Sequence, residues 1–94
     1  MDPIQSTART DTPAFAANRG AMTALIGELD AHREAARAGG GPKAQARHRE
    51  QGKLPVRERI VRLLDDGSPF LELSPLAAQG MYDGAAPGAG LVTG

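Results

Sequence analysis

The 94-residue sequence contains no cysteine and no tryptophan, and its aromatic residues are limited to Phe15, Phe70 and Tyr82. Without cysteine, the chain has no disulfide, no thiolate nucleophile and no cysteine-ligated zinc. Small domains bury only a modest fraction of their surface, and so few large side chains leave little material for a core. We therefore predict that this segment is not an independent fold.

Long hydrophobic runs and a secretory signal are also missing. No stretch approaches the roughly 20 apolar residues that a membrane-spanning helix needs. Residues 1–5 lack the basic start and the apolar centre of a signal peptide. The sequence therefore predicts a cytoplasmic protein without a membrane partner.

The formal net charge is zero, with 11 basic and 11 acidic residues, but the charges are segregated. Residues 33–62 hold nine basic residues against three acidic ones, and no basic residue follows Arg62. A basic block of this kind suits a phosphate-bearing ligand, an acidic partner surface, acidic neighbours within the chain or a solvated structural face. Nucleic acid is disfavoured, because the net charge is zero and no aromatic residues are interleaved for base stacking.

The first half of the chain reads as a leader followed by one long helix. Residues 1–17 are small and polar with two prolines, which predicts a flexible leader. Asn18 is a suitable N-cap for a helix from about Arg19 to Ala38, which the glycines at 39–41 would end. The apolar stripe that predicts this amphipathic helix consists of Met22, Leu25, Ile26 and Leu29.

Two shorter helices are predicted next, each starting at a proline. Pro42 would open a polar helix that runs to Gln51, and Pro55 would open a third helix with one apolar face. Glu58 and Arg62 are spaced for a helical ion pair. Gly67 would end the third helix as its left-handed cap.

The end of the chain predicts one or two short strands, at residues 70–74 and 91–93, joined by a glycine-rich loop. The second strand stops in mid-pattern. This ending suggests that the sequence is a fragment of a longer protein, mostly α-helical with three helices.

No catalytic, metal or cofactor site is predicted from the residues alone. His32 and His48 do not share a helix, so they lack the spacing of a metal-binding pair, and a surface or packing role is expected. The glycines at 39–41 precede Lys43 but follow a helix rather than a strand, which indicates helix punctuation and not a phosphate loop. No serine or tyrosine has a base at a recognisable spacing.

The order of several motifs resembles the opening of carboxyltransferase beta subunits of biotin-dependent acyl-CoA carboxylases. The resemblance covers about residues 15 to 94, and the stretch from Gly67 to Gly90 resembles the methylcrotonoyl or geranyl type more than the propionyl type. The shared motifs are Gly39-Gly40-Gly41, Arg47-His48, Gly52-Lys53-Leu54, Arg57-Glu58-Arg59-Ile60, Leu63-Leu64-Asp65, Gly67-Ser68-Pro69-Phe70, Gly80-Met81-Tyr82 and Pro87-Gly88-Ala89-Gly90.

The resemblance implies an α/β, crotonase-like carboxyltransferase, of which residues 18–94 would be the incomplete start of the amino-terminal domain. Such a subunit takes carboxybiotin as co-substrate, carboxylates an acyl-CoA, and pairs with a biotin carboxylase and biotin carrier alpha subunit and with other beta subunits. The family's catalytic amides would lie beyond Gly94, so the 94 residues alone are predicted to be inactive and to bind no cofactor. Within this frame the basic residues Arg47, Lys53 and Arg57 are candidates for contact with the CoA phosphates.

Two classes of function remain open at this point. The first is a part of a carboxyltransferase, with 3-methylcrotonoyl-CoA as the expected substrate and geranyl-CoA or propionyl-CoA as alternatives. The second is a non-catalytic helical adaptor that binds the carboxylase or another acidic partner.

Overall fold

The computed structural model describes all 94 residues, Met1–Gly94. Three α-helices follow one another, α1 (Pro13–Ala38), α2 (Gly41–Glu50) and α3 (Val56–Leu63), and a 3-10 helix spans Met81–Gly84. The only β pairing is an isolated antiparallel bridge between Leu73 and Thr93. The architecture is therefore three helices followed by a largely irregular segment, which confirms the prediction of a mostly helical chain.

Helix α1 starts earlier than the sequence analysis expected. Thr12 is its N-cap, in an extended conformation, and the Thr12 hydroxyl accepts a hydrogen bond of 3.2 Å from the backbone N–H of Phe15. Pro13 occupies the first turn, where its missing N–H leaves no helical partner unsatisfied. The predicted start at Arg19 with Asn18 as cap was wrong, because Thr12 and Pro13 already form a complete start signal and residues 14–18 propagate the helix.

The glycine triplet separates α1 from α2, as predicted. Gly39, Gly40 and Gly41 all have positive φ, at 43°, 60° and 83°. This left-handed run lets the chain leave α1 and enter α2 without the steric cost that a Cβ atom would bring. Helix α2 then begins with Pro42 in its first turn and ends beside Gly52.

Helix α3 ends sooner and differently than expected. Its C-cap is Leu64, which is extended with φ −84° and ψ 152°. Gly67 has φ 78° and closes a separate turn, in which the Ser68 N–H donates to the Asp65 carbonyl at 3.0 Å. The prediction that Gly67 caps the helix was wrong, because the chain has left the helical conformation three residues before it.

The two predicted strands do not form. Leu73 and Thr93 meet through one backbone hydrogen bond of 2.7 Å, from the Leu73 N–H to the Thr93 carbonyl. Ser74 has φ 49°, so the extended run cannot continue past Leu73, and Pro75 has no N–H to offer a ladder. The pattern therefore identified two segments that do approach each other, but the prediction that they form strands was wrong.

The chain has almost no core. Only Ala36 and Ala78 are buried, at 3% and 9% exposure. The radius of gyration is 19.2 Å, against about 12 Å for a compact domain of this length. None of the helices is long and apolar enough to cross a membrane. The expectation that the segment lacks an independent hydrophobic core agrees with this structure.

Candidate anion-binding surface

Arg57, in the first turn of α3, ties three parts of the chain together. Its Nε and Nη2 atoms donate to the two carboxylate oxygens of Glu72 at 3.0 and 2.5 Å. Its Nη1 atom donates to the carbonyls of Ala36 and Arg37 at the end of α1, both at 3.3 Å, and the Ala36 carbonyl also accepts the Gly39 N–H at 3.3 Å. Arg57 therefore holds the end of α1, the start of α3 and the segment around Glu72 in one place.

The Arg57–Glu72 pair is partly shielded from water. The Arg57 side chain is 29% exposed and that of Glu72 is 18% exposed. The hydrogen bond from Arg57 lowers the pKa of the Glu72 carboxyl below its usual range, and the positive charges of Arg57, Arg37 and Arg33 act in the same direction. Glu72 is therefore a stable carboxylate partner, and Arg57 is engaged within the chain itself.

A second two-pronged ion pair joins α2 to α3. Arg49 donates through both terminal nitrogens to the two carboxylate oxygens of Glu58. This hydrogen bonding lowers the pKa of Glu58 and raises that of Arg49. The predicted pair of Glu58 with Arg62 was wrong, because the carboxylate turns toward α2, where a guanidinium can meet it bidentately.

Two neighbouring recesses follow α2 and have strongly basic walls. The larger, of about 390 Å³, lies between the end of α1, α2 and the start of α3. The smaller, of about 370 Å³, lies on α2 itself, and both are lined by Gly40, Ala44 and His48. No aspartate or glutamate lines either recess. We call the two recesses together the basic groove; its cationic side chains are Arg37, Lys43, Arg47, Arg57 and Arg59.

The candidate residues from the sequence are not all brought together. Arg47 is exposed and lines the smaller recess, while Arg57 lines the larger one. Lys53 is exposed, lies outside the groove and donates through Nζ to the Gln51 side-chain oxygen at 3.1 Å. Two of the three residues therefore border one groove, from different recesses.

Sequence reasoning missed three of the groove cations, Arg37, Lys43 and Arg59. Lys43 and Arg47 are four residues apart on α2, a spacing that places them on one helix face and that could have been noticed. Arg37 and Arg59 reach the groove only because α1 and α3 meet there, which no local pattern indicates. His48 has the packing role that was expected, since its Nε2 donates to the Leu54 carbonyl at 3.1 Å.

Curated proteins similar to this chain are carboxylase subunits. The biotin-dependent 3-methylcrotonyl-coenzyme A carboxylase beta1 subunit of Mycobacterium tuberculosis is 57% identical over 70 residues, which is 74% of this chain and 13% of that protein. The mitochondrial methylcrotonoyl-CoA carboxylase beta chain of Arabidopsis thaliana is 46% identical over 84 residues, 89% of this chain and 14% of that protein. The propionyl-CoA carboxylase beta chain of Cereibacter sphaeroides is 41% identical over 78 residues, 78% of this chain and 15% of that protein.

These matches confirm the resemblance seen in the sequence: the chain belongs with the carboxyltransferase beta subunits of biotin-dependent acyl-CoA carboxylases. Within that class it is similar to part of the beta subunits of methylcrotonoyl-CoA carboxylases. The chain spans about 13 to 15% of the length of these relatives. No protein-family model matches it, and no solved structure is similar to it.

Proposed function

We propose that this chain contributes the amino-terminal part of a carboxyltransferase subunit that moves a carboxyl group from carboxybiotin to an acyl-CoA. The observation that carries the proposal is the 57% identity over 70 residues to a 3-methylcrotonyl-coenzyme A carboxylase beta subunit. The crotonase-like α/β fold of the complete subunit, and its pairing with an alpha subunit and with further beta subunits, are parts of the same proposal.

The proposed substrate is 3-methylcrotonoyl-CoA. Relatives named for methylcrotonoyl-CoA carboxylase are 45 to 57% identical to this chain, whereas two propionyl-CoA carboxylase relatives are 39 and 41% identical. Geranyl-CoA and propionyl-CoA remain the alternative substrates. A cytoplasmic location stays a prediction from the sequence, and the Arabidopsis relative is named as mitochondrial.

The proposed contribution of these 94 residues is binding and support, not bond making. Arg47 and Lys53 are exposed and have no carboxylate within ion-pair distance, so both are able to meet CoA phosphates. Arg57 contacts a phosphate in this proposal only by sharing its guanidinium with Glu72. The 94 residues alone are proposed to be inactive, because the resemblance implies that the family's catalytic amides lie beyond Gly94.

The test is an assay of the complete subunit together with its alpha subunit. Carboxylation should be most efficient with 3-methylcrotonoyl-CoA, as judged by kcat/KM against geranyl-CoA and propionyl-CoA. Replacing Arg47 or Lys53 with alanine should raise the apparent KM for the acyl-CoA about threefold to fivefold and leave kcat nearly unchanged. Arg62→Ala removes the same charge from α3 outside the groove and is the matched control. An unchanged KM in both variants would remove the phosphate contact and leave the charges as a solvated face.

A helical adaptor without catalysis is the second candidate function. It is favoured by the apolar stripe of α1, where Met22, Leu25, Ile26 and Leu29 are 45 to 59% exposed and thus free to bind another protein. The complete reading frame decides between the two functions. A frame that continues for several hundred residues and yields active enzyme supports the carboxyltransferase, whereas a stop codon after Gly94 with a stable short product supports the adaptor.

A further inference from the structure

The basic groove concentrates positive charge on a chain whose formal net charge is zero. Its two recesses share three lining residues, Gly40, Ala44 and His48, so they lie next to each other along one face of α2. Arginine or lysine side chains border both recesses, and no carboxylate does. A depression with one sign of charge attracts and concentrates counter-ions of the opposite sign.

Three of the groove cations have no acidic partner. The chain's five ion pairs leave out Lys43, Arg47 and Arg59. The remaining two, Arg37 and Arg57, pair with Glu34 and Glu72, and neither of these carboxylates lines the groove. The unpaired charges therefore have only solvent or an external anion to neutralise them.

The geometry of the groove also restricts the kind of anion. Two adjacent recesses each have their own unpaired cations, Arg59 in the larger and Lys43 and Arg47 in the smaller, which suits a ligand with two linked anionic groups better than a single anion. Arginine binds phosphate through paired N–H donors, and lysine adds a compact positive charge. None of the three aromatic residues lines the groove, so bases of a nucleic acid would have no stacking surface.

We propose that the basic groove is a binding site for the diphosphate group of a small molecule. Arg59 would hold one phosphate from the larger recess, and Lys43 and Arg47 would hold the other from the smaller one. Arg57 is a positioning residue here, because it holds α3 against the end of α1. Arg59 lies on the same helix, so this contact fixes the position of Arg59 in the larger recess. The site shares Arg47 with the proposed contact for the CoA phosphates, but diphosphate binding to the groove does not require carboxyltransferase activity.

The test measures whether pyrophosphate stabilises the helices of the 94-residue chain. A ligand that binds only the folded groove raises the folded population, even when the free chain is weakly folded. Sodium pyrophosphate should increase the far-ultraviolet circular dichroism signal at 222 nm beyond the effect of sodium chloride at the same ionic strength. No gain over sodium chloride would overturn the proposal.

Matched variants locate the site. Arg47→Ala and Arg59→Ala should each raise the half-saturating pyrophosphate concentration about threefold to fivefold, and the double variant about tenfold or more. Arg19→Ala and Arg62→Ala remove the same charge outside the groove and should change the half-saturating pyrophosphate concentration less than twofold. Arg47→Lys/Arg59→Lys keeps both charges and should retain binding, which separates loss of contact from loss of helix. If the control variants weaken pyrophosphate binding equally, the binding is general charge attraction and the proposed site is wrong.

The source of the diphosphate is resolved by comparing ligands. ADP and CoA, added separately, should both reproduce the pyrophosphate effect. Tighter binding of CoA than of ADP would identify an acyl-CoA carrier as the ligand, and tighter binding of ADP would identify a nucleoside diphosphate. Equal binding would show that the groove recognises only the part that both molecules share. These measurements need no carboxylation. Absence of pyrophosphate binding would therefore not change the result of the carboxylase assay, and an inactive carboxylase would not change the result of the binding test.

Discussion

Removal of the Arg57 side chain should open the end of α1 while leaving its middle closed. Arg57→Ala deletes the bidentate pair with Glu72 and the two hydrogen bonds to the carbonyls of Ala36 and Arg37. Exposed ion pairs contribute about 0.2 to 1 kcal/mol, and hydrogen bonds to charged groups about 1.5 to 3 kcal/mol. The pair is less than a third exposed, so we expect a combined loss of about 1 to 2 kcal/mol.

Amide hydrogen exchange by NMR is the appropriate assay, because it measures local opening and does not need a cooperative unfolding transition. A loss of about 1 to 2 kcal/mol should speed exchange in the last turn of α1, residues 34–38, by about 5-fold to 30-fold. Amides at residues 20–26 should change little, since Arg57 does not reach them. Arg57→Lys should give an intermediate effect, because one ammonium cannot serve Glu72 bidentately and both carbonyls at once.

The matched control is Arg62→Ala, which removes the same charge from α3 without breaking any ion pair of the structure. If Arg57→Ala accelerates exchange in the last turn by less than twofold, or if Arg62→Ala accelerates it equally, the assignment of Arg57 as the organising contact is wrong. A double-mutant cycle with Glu72→Gln then separates the ion pair from the contacts with the two carbonyls.

Two further predictions concern the carboxylates and the start of α1. The Glu58 and Glu72 carboxyls, followed by carbon-13 NMR, should titrate below the ordinary glutamate value of 4.5. Because their pKa values are lowered in the folded chain, the stabilisation by both pairs is complete above about pH 4.5 and is lost as the pH falls through the lowered values. Titration at the ordinary value would contradict the pairing. Thr12→Ala should destabilise the first turn of α1 by about 1 kcal/mol, seen as faster exchange at Phe15, whereas Thr7→Ala should have no effect.

Local signals in the sequence were sufficient for the helices. Pro42, in the first turn of α2, and Pro55, immediately before α3, marked two starts, and the glycine triplet marked the end of α1. These signals act within a few residues, so they can be read from one sequence. The start of α1 was placed six residues late, because an apolar stripe shows where a helix packs and not where its first turn begins.

Contacts between distant residues could not be predicted in the same way. Glu58 has Arg62 at the favourable spacing of four residues, yet it pairs with Arg49, nine residues earlier. The choice depends on how α2 lies against α3, which is set by the conformation of residues 51–55. Likewise, 15 residues separate Arg57 from Glu72, and no periodic pattern links them. The family could be recognised nevertheless, because the order of motifs along the chain can be read from the sequence without knowing which residues are in contact.

The charge pattern of the sequence acquires a structural meaning once the contacts are known. Four of the nine basic residues between 33 and 62 form ion pairs within the chain, namely Arg33, Arg37, Arg49 and Arg57. Five remain without acidic partners, and three of these, Lys43, Arg47 and Arg59, border the basic groove. Two arginines close together on α3 therefore differ in their contacts: Arg57 pairs with Glu72, whereas Arg59 has no acidic partner and can contact solvent or a ligand. The Arg49–Glu58 pair joins α2 to α3, the two helices that carry the unpaired cations, so an ion pair within the chain sets the spacing at which Lys43, Arg47 and Arg59 can meet an anion.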